Sequence, residues 1–299
     1  MTQAHTLSPL QREIVSGLTA GCATSVIVHP LDLVKLKLQL LSTGSQPRAG
    51  KYAAVLRGIL RPVGSGLGLG HGRQHYAGLY RGLAINVLGN SVAWAMYFAS
   101  YRYAKELLQG PGPTSSGPDP LAYLAAGAAG GVFTSLVTNP VWVLKTRIMG
   151  AEGPRRLSIA GTCRDIVRHE GWRGLARGLA PSVLGVSQGA IYFMVYDTMK
   201  QRRLASRNSD RLSTLDTIAI TSCSKMVSTT AVYPLQLIKS NMQSAQLAAE
   251  RWSMRRLVAY IYARGGLPGL YSGLGTNLLK AVPTTCITFC IYEGMKGYL

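Results

Sequence analysis

The chain has 299 residues, 47% of them hydrophobic and only 15% charged, with 34 glycines and a mean hydropathy of +0.15. Its 32 Lys and Arg outnumber 12 Asp and Glu, a net charge of +20, which suits an anionic partner: nucleic acid, acidic lipid or a phosphorylated solute. The balance argues against two soluble domains and for membrane helices with one lipid face and one polar face, and five cysteines without a CxxC spacing exclude a disulfide framework and a zinc site.

The N-terminal Met1-Thr-Gln-Ala-His-Thr-Leu-Ser-Pro9 has neither the charged start nor the apolar core of a signal peptide, so any organelle address is expected to be internal. The first uncharged stretch, 14–31, carries Gly17 and Gly21 four apart, a spacing that lets helix backbones approach closely in lipid. It runs into the phrase Pro30-Leu-Asp32-Leu-Val-Lys35-Leu-Lys37. An amphipathic stretch at 52–61 predicts a short surface helix, and the Gly-rich run 62–75 reads as an inserted loop. Gly78-Leu-Tyr80-Arg81-Gly82 then opens a second uncharged stretch, 82–101.

The same order recurs twice. Gly110–Pro120 is a linker dense in Pro, Gly and Ser. The stretch 120–144 contains Gly127 and Gly131 and leads into Pro140-Val-Trp142-Val-Leu-Lys145-Thr-Arg147. A surface helix is expected at 159–170, and Gly174-Leu-Ala-Arg177-Gly178 opens the stretch 178–196. The basic residues Arg155, Arg156, Arg164, Arg168, Arg173 and Arg177 crowd this segment and read as a solvated face beside anionic lipid. After the linker 206–213 come 217–238 with Pro234-Leu-Gln236-Leu-Ile-Lys239, a surface helix at 252–264, the phrase Gly269-Leu-Tyr271-Ser-Gly273, and a last stretch, 265–292. Lys225 and Lys280 alone interrupt the last two stretches.

The six stretches are each about 18 residues or longer, enough to cross a hydrocarbon core. The prolines of the repeated phrase stand at 30, 140 and 234, so spacings of 110 and 94 divide the chain into three copies of a two-span module, at 8–110, 118–206 and 212–299. The predicted fold is an all-α membrane protein of six transmembrane helices in a pseudo-threefold barrel with three short surface helices.

A proline near the end of a spanning helix removes a backbone hydrogen bond and bends it, so Pro30, Pro140 and Pro234 are expected kinks that bring three helix ends together. Asp32 and Lys35, three apart, share one helix face. Symmetry sets each third residue of the phrase beside the base of the next copy. That pairs Asp32 with Lys145, Trp142 with Lys239 by cation–π contact, and Gln236 with Lys35 by hydrogen bonding.

A charge inside a span is costly and is first read as functional. Lys225 lies roughly 13 Å from Pro234 and Lys280 roughly 10 Å from Gly273 along the helix, near mid-depth. Two ammonium groups there suit a pyrophosphate. Asn86, Gln188 and Asn277 are candidates for reading polar ring edges, and Trp94, Tyr97 and Tyr192 for stacking on a flat ring. Gly89, Gly185 and Gly189 would leave room for a bulky ligand or serve close helix contacts. No Ser/His/acid, Cys/His or metal-ligand constellation recurs, so no enzyme is expected and no metal or cofactor; His29 and His169 stand alone as surface or packing residues. Six apolar spans argue against a nucleic-acid-binding protein, the remote alternative.

The phrase proline-x-acid-x-x-base ending one helix, with Arg-Gly opening the next, three times in phase, resembles the mitochondrial carrier family over essentially the whole chain. The resemblance implies alternating access through a central site in the mitochondrial inner membrane, with both termini facing the intermembrane space. It also implies anionic lipid such as cardiolipin as a partner and a functional monomer. It makes the three pairs a matrix-side gate and Gln39 and Gln243, nine after their prolines, a glutamine brace, from which Met149 departs. The opposite gate would be Tyr-acid-x-x-base: Asp197 with Lys200 and Glu293 with Lys296 fit, whereas Arg102, ahead of Lys105, stands where an acid belongs. Family contact points fall on Gly89 with Asn90, Leu184 with Gly185, and Lys280. Trp142 and Gln236, together with Gly185-Val-Ser-Gln-Gly-Ala-Ile-Tyr-Phe193 and Ile287-Thr-Phe-Cys-Ile-Tyr-Glu293, are similar to the branch that carries FAD, folate and NAD, with FAD the leading substrate and folate or NAD the alternatives.

Overall fold

In the computed structural model, the structure describes residues 9–40, 50–60, 78–109, 120–151, 157–207, 212–245 and 252–298. The expected insertion at 62–75, nearly all of the 110–120 linker, and Arg155 and Arg156 lie outside them. The described residues form helices and turns, with no strand among them. In chain order the α-helices are α1 (Pro9–Leu40), α2 (Lys51–Leu60), α3 (Leu83–Gln109), α4 (Pro120–Gly150), α5 (Ile159–Glu170), α6 (Leu179–Leu184), α7 (Ser187–Arg207), α8 (Thr214–Gln243), α9 (Met254–Leu270) and α10 (Leu274–Tyr298). Three stretches, Gly78–Leu107, Leu124–Gly150 and Trp172–Ser206, are long and apolar enough to cross a membrane.

The long helices close into a ring. α1 packs on α3, α3 on α4, α4 on α6 and α7, α7 on α8, α8 on α10, and α10 on α1. Glycines make some of these seams possible. A Cβ on Gly130 would lie 3.0 Å from the Tyr101 nitrogen of α3, and one on Gly131 would lie 2.6 Å from Val186. Gly21 differs from the close-contact expectation: a Cβ there would meet nothing within 4 Å.

Two expected spans are broken. The stretch 178–196 is interrupted at Gly185 and Val186, where the chain makes i→i+3 bonds such as Val186 N to Val183 O, 3.1 Å, before α7 begins. The stretch 265–292 is broken because α9 continues through a kink at Gly266, φ 59°, to Leu270, and a turn precedes α10. The left-handed conformation at Gly266 and the ring of Pro268 end the regular helix that apolar periodicity suggested.

The three surface helices, α2, α5 and α9, are built alike. Each buries a pair four apart on one face: Val55 with Ile59, Thr162 with Ile166, and Leu257 with Ile261. Their apolar members (Val55 and Ile59, Ile166, Leu257 and Ile261) pack against the proline-containing helix of their own copy, in clusters that include Leu33 and Leu36, then Val143 and Ile148, then Tyr233 and Leu237. Burying one such aliphatic side chain stabilises by about 1.5–3 kcal/mol. Ser158 caps α5 by accepting from the Gly161 amide at 3.0 Å, and Ser253 caps α9 by accepting from the Arg256 amide at 3.3 Å.

Glu170, at the end of α5, ties three elements together. Arg147 of α4 donates to both of its oxygens, at 2.5 and 2.9 Å, and Arg177 donates from Nε at 3.0 Å. This fork-on-fork geometry is the strong form of the pair. Burial favours the neutral acid, but the Arg147 hydrogen bonds and the two guanidinium charges outweigh it and hold Glu170 below its ordinary value of 4.5. Its stabilisation is therefore complete above that value and is lost as pH falls through the depressed one. Glu170→Gln strands two half-buried guanidinium groups and should cost about 3 kcal/mol near neutral pH. In thermal unfolding of the detergent-solubilised protein, the gap between wild type and variant should close as pH drops below 4.5.

Candidate functional site

The ends of α1, α4 and α8 that carry the repeated phrase converge, whereas α3, α7 and α10 make no comparable mutual contact among the described residues. Pro30, Pro140 and Pro234 lie inside continuous helices, so the missing hydrogen bond is absorbed without ending the element. Buried glutamines hold the ends together. Gln39 donates to the Tyr233 hydroxyl at 3.2 Å and accepts from Ser240 at 2.9 Å, while Asn241 donates to the Gln39 carbonyl at 3.0 Å. Gln243 accepts from Thr146 at 3.1 Å and donates to Asn139 at 3.3 Å, and its carbonyl accepts from Arg147 at 3.0 Å. At the equivalent place in α4, Met149 is buried and fills space by packing alone.

Each copy also seats itself on the next through a glycine of positive φ. Cβ atoms on Gly82 (φ 77°), Gly178 (φ 72°) and Gly273 (φ 86°) would collide with Met149 at 2.7 Å, with Gln243 at 2.9 Å, and with the Tyr233 hydroxyl at 2.9 Å. Gly273 also lies against Leu38 and Lys35 of α1, which closes the circle. Sequence reasoning missed the partners of these turns. His29, Asn139 and Tyr233 each precede a motif proline, and each is fully buried. His29 Nε2 contacts the Arg81 carbonyl at 3.0 Å, Asn139 donates to the Arg177 carbonyl at 3.2 Å, and Tyr233 donates to the Ser272 carbonyl at 2.7 Å. Three unlike side chains make one contact. The signal was their shared position before the proline, which residue type concealed.

Above this floor lies a cavity of about 510 Å³. Its lining includes Lys35, Lys145, Lys239 and Lys280, with Asp32 the sole carboxylate. The expected pairing of Asp32 with Lys145 is corrected in part: Asp32 forms its direct ion pair with Lys280 of α10, and Lys145 stays within electrostatic reach of the same carboxylate. α1 and α10 pack side by side, which brings Lys280 to Asp32 more directly than a reach across the cavity would bring Lys145. Lys35 donates to Gln236 at 3.2 Å, and Gln236 donates in turn to Gln188 at 2.9 Å. Gln188 then donates to Thr229 at 3.1 Å, so a polar chain runs from the floor into the wall. Two lysines approach the Trp142 ring, with Lys239 Nζ 5.5 Å and Lys145 Nζ 4.6 Å from its centroid, and its Nε1 donates to Thr138 at 3.1 Å.

Other anticipated contact residues are scattered. Asn86, Asn90, Gly185 and Gln188 line the cavity with Lys280. Asn86 is already engaged by His29 at 3.2 Å and by Asn90 at 3.4 Å, so it serves as packing more than as a free reader of ring edges. Gly89 is packed, its Cβ position 3.1 Å from Val141, and so does not open room for a ligand. Trp94, Leu184, Tyr192 and Asn277 are not among the lining residues; Trp94 stacks on Phe98 and Tyr192 on Tyr196. Lys225 is also outside the lining but lies within electrostatic reach of Lys280. At the other end of the ring, Arg102 pairs with Glu106 on its own helix at 3.1 Å, Lys105 is half-buried, and Asp197 and Lys200 are exposed. The side chains of Glu293 and Lys296 lie outside the described residues.

The family described as mitochondrial carrier protein matches three segments, residues 7–112, 116–206 and 210–299. The mitochondrial FAD carrier protein of Saccharomyces cerevisiae is 45% identical over 99% of both chains. Mitochondrial nicotinamide adenine dinucleotide transporter 2 of Arabidopsis thaliana is 34% identical over 95% of this chain and 78% of its own. Chloroplastic folate transporter 1 of Arabidopsis thaliana is 32% identical over 95% of this chain and 94% of its own.

Gln243 joins Thr146 and Asn139 across two copies at the floor, so Gln243→Leu should leave both short of a partner. The expected cost is about 2 kcal/mol. It should be read as a lower midpoint in thermal unfolding with helix content retained.

Proposed function

The chain belongs to the mitochondrial carrier family, and we propose that it carries FAD across the mitochondrial inner membrane. It is a six-helix membrane transporter of the mitochondrion rather than an enzyme, and its substrate is cargo, not cofactor. The observation that carries the substrate is the 45% identity, end to end, with a mitochondrial FAD carrier. The cavity supports it independently: four lysines and one carboxylate line it, a balance that suits a dinucleotide with two negative phosphates.

In this reading the copies 8–110, 118–206 and 212–299 are the moving units. The floor formed by Asp32, Lys35, Trp142, Lys145, Gln236 and Lys239, braced by Gln39 and Gln243, is the matrix gate. Arg102, Lys105, Asp197, Lys200, Glu293 and Lys296 form the opposing gate, and both termini face the intermembrane space. Lys280, Asn90, Gly185 and Gln188 meet the substrate, and Lys225 adds positive charge within reach of Lys280. Lys280 is held by Asp32. A phosphate that takes Lys280 releases Asp32 and weakens the α1–α10 contact at the floor, so binding energy is spent on opening the gate. The chain works as a monomer with anionic lipid at its surface helices. NAD is the second reading, favoured by the 34% identity with a mitochondrial NAD transporter.

Liposomes containing the purified protein should take up labelled FAD in preference to NAD and folate. Robust NAD uptake without FAD uptake would transfer the assignment to the second reading. Lys280→Ala should lower FAD uptake at least ~100-fold while leaving the unfolding midpoint within a few degrees, since it removes a charge-assisted contact with the substrate.

A further inference from the structure

The threefold arrangement of the floor lacks an acid at two of its three equivalent positions, Trp142 and Gln236. Three bases, Lys35, Lys145 and Lys239, are grouped there with a single acid, Asp32, and that acid is occupied by Lys280. Lys35 has Gln236 as its acceptor. Lys145 and Lys239 have no acceptor among the described residues, and each rests against the face of Trp142. An aromatic face attracts a cation but does not cancel its charge. Lys145 lies within electrostatic reach of Asp32, the carboxylate already paired with Lys280, and also of Lys239. Both belong to residues that line the cavity, where four lysines share one carboxylate, so the excess positive charge borders the space a ligand enters.

The geometry points to a phosphate-binding subsite at the cavity floor, formed by Lys145 and Lys239 beside Trp142, in which the ligand's phosphate supplies the negative charge that Trp142 and Gln236 do not. The inference rests on the reading of the chain as a carrier of a phosphorylated nucleotide, and it sets the direction of that ligand, phosphates down and rings toward the wider part of the ring. The lysines retain donors free for an anion, because a cation–π contact uses the charge of the ammonium group and not all three of its hydrogens. Trp142 keeps both lysines at one side of the cavity, and its Nε1 bond to Thr138 fixes the ring. The arrangement makes the floor of this chain a ligand site and not only a barrier.

The test uses the purified full-length protein in detergent and inorganic pyrophosphate as the probe. Pyrophosphate should raise the unfolding midpoint, and sodium chloride of matched ionic strength should not. Lys145→Gln and Lys239→Gln should each weaken the apparent pyrophosphate affinity ~tenfold, the loss of one charge-assisted contact. Arg173→Gln, which removes an exposed cation elsewhere, should leave it unchanged. Trp142→Glu should raise the midpoint of the unliganded protein and abolish the pyrophosphate response, because it fills the charge deficit from within while keeping both lysines. A purely structural role for Trp142 would not produce that exchange. FAD stabilisation that falls with the same lysine variants, with none from riboflavin, makes the phosphate the nucleotide's own. Stabilisation by orthophosphate additive with FAD makes it a separate anion bound in the same subsite. A pyrophosphate response unchanged in both lysine variants, or matched by sodium chloride, overturns the inference. That failure is separable from the substrate reading: FAD uptake with a lysine-independent pyrophosphate response removes the subsite alone, and lysine-dependent pyrophosphate binding without FAD uptake removes the substrate alone.

Discussion

The close approach of three proline-containing helix ends is the constraint from which the rest of the molecule follows. Helices can meet so tightly only where bulk is removed and polar groups are satisfied. Glycines of positive φ at 82, 178 and 273 remove the bulk, and each presses against the neighbouring copy. Gln39 and Gln243 satisfy the polar groups, with Asn241, Ser240 and Thr146 as partners. Because each copy is seated on the next, the three helix ends form a cycle with no free edge, and the space above them becomes a cavity.

That cycle also explains why the core is placed at one end. The surface helices α2, α5 and α9 each turn buried apolar side chains, Val55 and Ile59, Ile166, and Leu257 and Ile261, onto their own proline helix. Glu170 then binds Arg147 and Arg177, linking α5 to the helix end and to the turn before α6. The cavity above the core is polar, with lysines gathered at its floor, and it owes its shape to the ring rather than to its own packing. A site so rich in cations is unfavourable without an anion, which is a sensible property for a cavity that must hold an anionic ligand only transiently.

Departures from threefold symmetry carry the chemistry. Asp32 is the single acid among the three equivalent positions, and α10 supplies Lys280 to it. Trp142 occupies the second position and contacts two lysines instead of pairing with one. Gln236 occupies the third and passes the contact from Lys35 to Gln188, which joins the floor to the cavity wall. Symmetric geometry filled with unlike residues leaves a directional pattern of charge, and an asymmetric ligand needs such a pattern.

Periodicity and repetition in the sequence determined the all-helical class, the six long elements, the three surface helices and the meeting of the proline phrases, because these depend on residue spacing and on lipid excluding unpaired backbone. Contacts within one helical phrase, or between symmetry-related phrases, were legible for the same reason: Trp142 with Lys239 and Gln236 with Lys35 follow from register alone. Tertiary structure decided the rest. Lys280 reaches Asp32 because α10 packs beside α1, a neighbour relation that no spacing in the chain encodes. Gly89 is packed rather than open because Val141 lies across the seam, and His29, Asn139 and Tyr233 share a role that their chemistry conceals. Sequence states which groups a helix face carries; only packing decides which face meets which, and that choice determines whether a charge is paired, buried or left for a ligand.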